Sequence, residues 1–439
     1  KSRMDFLMAL QLPLDFPGTL EFDDDGIPTK RTLLPSGIRV LTQHVPGQRS
    51  VALGFLVGVG SRDEAQGAEG STHFLEHLLF KGTHTRTAAE ISALGDALGG
   101  TMNAATARLY TCYYGHVFAG DLPELVSLLV DMFCNSRLDR GDMELERGVI
   151  LEELAAADDD VSEVASDAIL KLVMGSHPLA RPIGGTFETV AALDHDHLLK
   201  HYQSNYHAGE LVVTAAGEVD HDSLIDLLVK ELAGVGWDLA DRAPGPRRRG
   251  QDVAYTAGGE GFAERPGRQA SVVVGYPGLA LLDEREETLT ALETILGGGQ
   301  SSRLFQEVRE RRGLAYSTYA WQAGYLEGGL VAMEALCSPA HTRAVAEIMT
   351  DCLHDIAENG VSEREVDIAF RQRRARLVFS SESNPFRRSR LGASELVGRL
   401  RSLEEVFAAA RAVTGEQIQE LAGEIARSPR SLMIVGAAS

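Results

Sequence analysis

Cysteine is scarce in this chain: Cys112, Cys134, Cys337 and Cys352 are scattered along 439 residues and form no C-x-x-C pair. That pattern fits buried free thiols in a reducing, cytoplasmic setting better than a disulfide framework or a thiolate metal site. Basic residues are in deficit, 42 Lys and Arg against 63 Asp and Glu, for a formal net charge of -21. Such acidity argues against a nucleic-acid partner and suits basic peptides. Long apolar runs are missing as well. The opening, 1–10, begins basic and turns apolar, but its apolar run is short and Gln11, Pro13 and Asp15 follow it. Neither a signal peptide nor a membrane-spanning helix is expected there, although an opening on Lys leaves room for a leader removed earlier. With no G-x-G-x-x-G and no Gly-Lys-Ser/Thr, a nucleotide-binding loop is not expected either.

What the chain does have is length and apolar content, 44% hydrophobic over 439 residues, enough for two domains with sizeable cores. The expected division is 1–236, a linker over 237–266, and 267–439. The linker rests on Pro244-Gly245-Pro246-Arg247-Arg248-Arg249-Gly250, where the arginine run reads as solvated. Stretches 31–43 and 49–60 read as paired strands, 87–98 as a helix closed by Gly99-Gly100, 101–118 as one long strand and 211–217 as a buried strand. Beyond the linker the opening plan repeats faintly, a strand at 270–275 and a helix at 286–296.

The richest stretch is Ser71-Thr72-His73-Phe74-Leu75-Glu76-His77-Leu78-Leu79-Phe80-Lys81-Gly82-Thr83. On a helix His73 and His77, four residues apart, share a face, so two imidazoles can converge on one ion with Glu76 beside them. Phe74, Leu75, Leu78 and Leu79 give that helix an apolar face, and Lys81-Gly82 reads as a last-turn cation followed by a C-cap glycine. A catalytic zinc needs a third protein ligand and an open position. In the helical stretch 144–154, Glu146 and Glu153 are seven residues apart and share a face. Taken alone, Glu153 reads as a solvated helix carboxylate.

His-Phe-Leu-Glu-His followed by Leu-Leu-Phe-Lys-Gly-Thr, with Glu-Arg-x-Val-Ile-Leu-x-Glu about 70 residues later, resembles the inverzincin metallopeptidases of the pitrilysin family. The likeness is to its mitochondrial processing peptidase-like branch of bacterial zinc proteases, over nearly the whole chain. The resemblance implies one zinc per chain held by His73, His77 and Glu153, with Glu76 as general base and Glu146 supporting the ligands from behind. It implies that the strand entered through Asn103 and Ala104 is an exposed edge that takes a peptide as an added strand. Leu109 departs from the pattern, since relatives usually carry an acidic residue there. In the second half, 297–317, it marks Arg309 and Tyr316 as a pair that contacts the substrate backbone. By itself Arg309 would read as a surface helix residue.

The expected fold is α+β, two similar domains, each a mostly antiparallel sheet with helices packed on one face. The expected activity is zinc-dependent cleavage of short or unfolded peptides. A homodimer is the simplest assembly for a chain holding both residue sets, with a heterodimer with a zinc-free homologue as the alternative. The competing reading is a noncatalytic scaffold or partner subunit of the same fold.

Overall fold

Seven strands make the first sheet of the computed structural model, in the order Gly18–Asp24, Ile27–Leu33, Arg39–His44, Leu211–Gly217, Ser50–Val57, Thr111–Phe118, Thr101–Thr106. Residues 10–438 are described, so the basic-to-apolar opening over 1–9 lies outside them. Neighbouring strands are antiparallel except Arg39–His44, which runs parallel to Leu211–Gly217. Two strand expectations are corrected here. The strands Arg39–His44 and Ser50–Val57 do not pair with each other, because Leu211–Gly217 lies between them. Every residue of that inserted strand is buried, so only a central place in the sheet covers its Leu, Val and Ala side chains on both faces. The stretch 101–118 is a hairpin rather than one strand, turning between Thr106 and Thr111.

The second sheet runs Ala315–Tyr325, Gly328–Cys337, Ala270–Gly278, Ser431–Gly436, Gly259–Glu264, antiparallel except for the last pair. Read from the Thr101–Thr106 edge, five strands of the first sheet show the same succession of pairings, ending in a parallel pair. The duplication that is faint in sequence is therefore explicit in topology. With 48% helix and 23% strand the fold is α+β.

Each core follows from the two periodicities. Alternate residues Leu53, Phe55 and Val57 of a central strand meet Phe74, Leu75, Leu78 and Leu79, which recur on one helical stripe of Ser71–Leu79. In the second sheet Val272, Val274 and Tyr276 share one core with Leu289, Leu292 and Leu296 of the helix Glu286–Gly297. Burying each such side chain contributes about 1.5–3 kcal/mol, so the helix that carries the His pair is anchored along its whole length.

The chain packs as two units, 1–154 with 182–248 and 379–404, and 155–181 with 249–378 and 405–439. Each is thus drawn from three segments, where the sequence suggests two continuous halves. The helix Asn384–Val397, late in the chain, lies on the first sheet with Leu391 against Leu41, Leu56 and Val212. The helix Val161–Met174 lies on the second, against Ala270–Gly278 and Ser431–Gly436. The stretch 237–266 also differs from a solvated linker. It contributes the strand Gly259–Glu264, and its arginines are engaged: Arg247 with Glu395, Arg248 with Glu210, Arg249 with Asp252. Carboxylates lie along the path of this extended segment, so its guanidinium groups pair rather than point to solvent. Among the described residues no helix is long and apolar enough to cross a membrane.

Candidate active site

The helix Ser71–Leu79 starts at Gly70, whose φ of +94° and close approach to Gly184 O leave no room for a side chain. The buried carboxylate of Glu64 accepts the Gly70 N–H at 2.8 Å and the Thr72 N–H at 2.7 Å, satisfying donors that the first turn leaves free. Burial pushes that carboxyl up to about 7, against the pull of those same amides. The start of the helix is thereby fixed in place, and with it the two imidazoles one turn further on.

His73 Nε2 and His77 Nε2 stand 3.3 Å apart. Glu153 Oε2, from the long helix Arg140–Asp159, lies 3.9 Å from the first and 3.4 Å from the second. Among the described residues this is the one group of three or more His, Cys, Asp or Glu side chains whose ligand atoms gather, all within 4.8 Å. Bonds of about 2.0–2.2 Å to a tetrahedral zinc would separate ligand atoms by roughly 3.3–3.6 Å, so the donor set fits such an ion. Its chemistry fits as well. Burial, with His77 beside it, pulls His73 down to about 4, which keeps its imidazole neutral and its lone pair free for a metal. Glu153 is half exposed, leaving one side of the cluster open to water or substrate.

Glu146 is buried beneath the cluster, its Oε2 accepting from His77 Nδ1 at 3.0 Å and its Oε1 2.5 Å from Lys81 Nζ. A proton on Nδ1 leaves Nε2 as the lone-pair nitrogen. Lys81 is where the structure departs from the helix-end reading. The helix stops at Leu79 with Phe80 as its cap, and the ammonium that would face the last turn is drawn to Glu146.

Glu76 projects from the same helix toward the sheet edge, where Thr106 Oγ1 donates to its Oε2 at 2.5 Å. Burial raises the Glu76 carboxyl and the hydrogen bonds from Thr106 oppose that rise. Thr106 ends the edge strand Thr101–Thr106, which pairs only on its Thr111–Phe118 side. Asn103 and Ala104 lie mid-strand, Asn103 exposed and Ala104 buried, and Leu109 sits in the following turn. Three residues of the site escaped the sequence reading: Thr106, Lys81 and Glu64. Only Lys81 had a local signal, its place directly after the histidine pentad.

In the second unit Arg309 and Tyr316 come together. Arg309 Nη1 donates to Tyr316 O at 2.8 Å, and its guanidinium lies over the Phe305 and Tyr316 rings at 4.8 and 5.0 Å. Arg309 belongs to a π-helical turn, Phe305–Glu310, a rare conformation that recurs at functional sites. Tyr316 is 74% exposed, so its phenol is available to a ligand. The helix Glu286–Gly297 carries Thr290, Glu293 and Thr294 at the spacing of His73, Glu76 and His77, with no imidazole among them. Arg373 pairs with the buried Glu287 of this helix at 2.9 and 3.0 Å, so that carboxylate is balanced by a cation of the same unit.

Residues 39–187 match the model described as insulinase (peptidase family M16), and residues 192–373 the one described as peptidase M16 inactive domain. A protein of Streptomyces coelicolor called an uncharacterized zinc protease is 40% identical over 422 residues, 95% of this chain and 92% of that protein. The chain belongs to peptidase family M16, the pitrilysin family. Another M16 relative, from Bacillus subtilis and also called an uncharacterized zinc protease, is 32% identical over 407 residues, 92% of this chain and 98% of its own. The fold recurs in two solved structures at low identity. A peptidase M16 inactive domain protein from Pseudomonas fluorescens has a TM-score of 0.84 at 18% identity, covering 94% of this chain and 98% of that one. A protease from Helicobacter pylori has a TM-score of 0.85 at 19% identity, covering 93% and 99%.

Proposed function

We propose that this M16 protein is a zinc-dependent endopeptidase acting on short or unfolded peptides, with one zinc per chain held by His73, His77 and Glu153. The observation that carries the reading is the convergence of two histidine Nε2 atoms and one half-exposed carboxylate, with a second carboxylate, Glu76, on the same helix. Zinc, when bound there, lowers the pKa of a water and polarises the scissile carbonyl. Glu76 takes the proton of the attacking water and returns it to the leaving amine. Thr106 holds the carboxylate that does so. The edge strand Thr101–Thr106, with Asn103 and Ala104, offers unpaired main-chain groups to an extended peptide, a mode that binds irrespective of side chains. Arg309 and the Tyr316 phenol are donors suited to peptide carbonyls. The acidic charge of the chain favours basic peptides, and a cytoplasmic homodimer completes the reading.

A noncatalytic scaffold is the second reading, favoured by the match of the second half to a model described as an inactive domain. Its weakness is the gathered donor set in the first half, which a scaffold has no need to keep. A pool of unstructured synthetic peptides, read by mass spectrometry, separates the two. Cleavage is expected to stop when a chelator strips the metal and to return with added zinc. Cleavage that persists after elemental analysis shows the metal gone would sink the zinc mechanism, and no cleavage by zinc-loaded protein would favour the scaffold. A finer prediction concerns Thr106. Thr106→Val removes a hydrogen bond to a charged group, worth ~1.5 kcal/mol, so kcat should fall about tenfold at unchanged zinc content. Thr106→Ser should retain activity, and equal kcat in Val and Ser variants would remove Thr106 from the mechanism.

A further inference from the structure

Behind the donor cluster runs a chain of three groups around one buried carboxylate: Lys81 Nζ at 2.5 Å from Glu146 Oε1, and Glu146 Oε2 at 3.0 Å from His77 Nδ1. Glu146 is 3% exposed. A carboxylate so buried needs both oxygens satisfied and its charge balanced, or it rotates toward whatever donors it can find. The His77 N–H serves one oxygen. Lys81, its side chain 36% exposed, stretches its stem along the surface and delivers its ammonium to the other. The backbone helps aim it: the Lys81 N–H bonds Leu78 O at 3.0 Å, so the chain is still turning there, and Gly82 follows at φ +126°.

We infer that Lys81 is a positioning residue for the metal. By pinning Glu146 Oε1 it holds Oε2 against His77 Nδ1, which turns His77 Nε2 toward His73 Nε2 and Glu153 Oε2. The inference rests on the zinc reading above and extends it by one layer, from ligand to supporting carboxylate to the cation that orients that carboxylate. A helix-end lysine serving only the backbone dipole would have no such link to the imidazole. Lys81 is not one of the gathered donors, so its effect is on how firmly the ion is held.

The test uses metal-free full-length protein and zinc alone, with affinity measured by competition against a chromophoric chelator. Lys81→Met keeps the stem and removes the charge, and is expected to weaken zinc binding about tenfold, the low end for groups behind the ligands. Lys81→Arg should restore affinity to within about threefold of wild type. In a Glu146→Gln background, itself weakened, Lys81→Met should cost nothing further, because its path runs through Glu146. Because Lys81→Met leaves the buried Glu146 carboxylate without its cation, the metal-free variant should melt somewhat lower than wild type, so zinc affinity is compared at a temperature where both metal-free proteins are folded. Equal zinc affinity in Lys81→Met and wild type overturns the inference while leaving the peptidase reading intact, as does a loss that Lys81→Arg fails to restore. Failure of the wild type to take up zinc overturns both. If Lys81→Met does not fold, Lys81→Gln carries the same comparison.

Discussion

Glu76→Gln should lower kcat by about 10²–10⁴-fold while the protein keeps its full zinc complement. The substitution is nearly isosteric. A glutamine carbonyl can still accept from Thr106 Oγ1, so the side chain should stay where the edge strand holds it. What it loses is the capacity to take a proton. Glu76 does not belong to the gathered donor set, so metal content should not change. Glu153→Gln is the contrasting variant: it removes a donor from the cluster and should release the metal and the activity together. The two are compared by elemental analysis and by peptide cleavage in a mass spectrometer. Zinc lost from Glu76→Gln would make Glu76 a ligand, and activity within tenfold of wild type would remove it as the base.

How much of this site can be read from sequence depends on how local each part is. His73, Glu76 and His77 lie within one helical turn or so, and their spacing alone puts them on a shared face. The helix that bears them is legible too, because its apolar residues recur on one stripe. Glu153 is different in kind. Helical spacing places it with Glu146, but only the resemblance ties either to histidines about 70 residues earlier. Thr106 carries no signal whatever in sequence, since a threonine in a strand is ordinary, and its importance comes from where the sheet edge passes the helix. The same distinction explains the fold. Local periodicity finds the helices Ser71–Leu79, Ala88–Ala97 and Glu286–Gly297 and the strands Ser50–Val57, Leu211–Gly217 and Ala270–Gly278, yet it cannot say that Leu211–Gly217 enters between two strands 150 or more residues earlier. Nor can it see that the helix Asn384–Val397 belongs with the first sheet, because each half's long helix is followed by a segment that packs with the other unit's strands.

Removing the Glu395 carboxylate should destabilise the first unit by about 3–5 kcal/mol, a fifth or more of the roughly 5–15 kcal/mol typical of a domain. Glu395 is wholly buried and faces three arginines. Arg31 grips it with two hydrogen bonds, Nε at 3.2 Å and Nη2 at 3.0 Å, Arg247 Nη2 reaches Oε1 at 3.2 Å, and Arg39 Nη1 stands at 4.0 Å. Arg31 and Arg39 are themselves almost fully buried. A surface ion pair would be worth little, but here the loss of one carboxylate strands several cations out of water, and the cost is that of uncompensated buried charge. Arg31 and Glu395 are 364 residues apart in sequence, so this one pair ties the start of the chain to its late helix. Glu395→Gln, which preserves shape, should already show most of the loss. Arg31→Met combined with Glu395→Leu should recover part of it, because apolar packing can replace a buried pair. Hydrogen exchange of the Ser50–Val57 and Leu211–Gly217 amides, the strands beneath this helix, reads the effect in the first unit without assuming that the whole chain unfolds in one step. Protection in Glu395→Gln within about 1 kcal/mol of wild type would mean that water reaches the arginines and that the cluster does not hold the late helix in place.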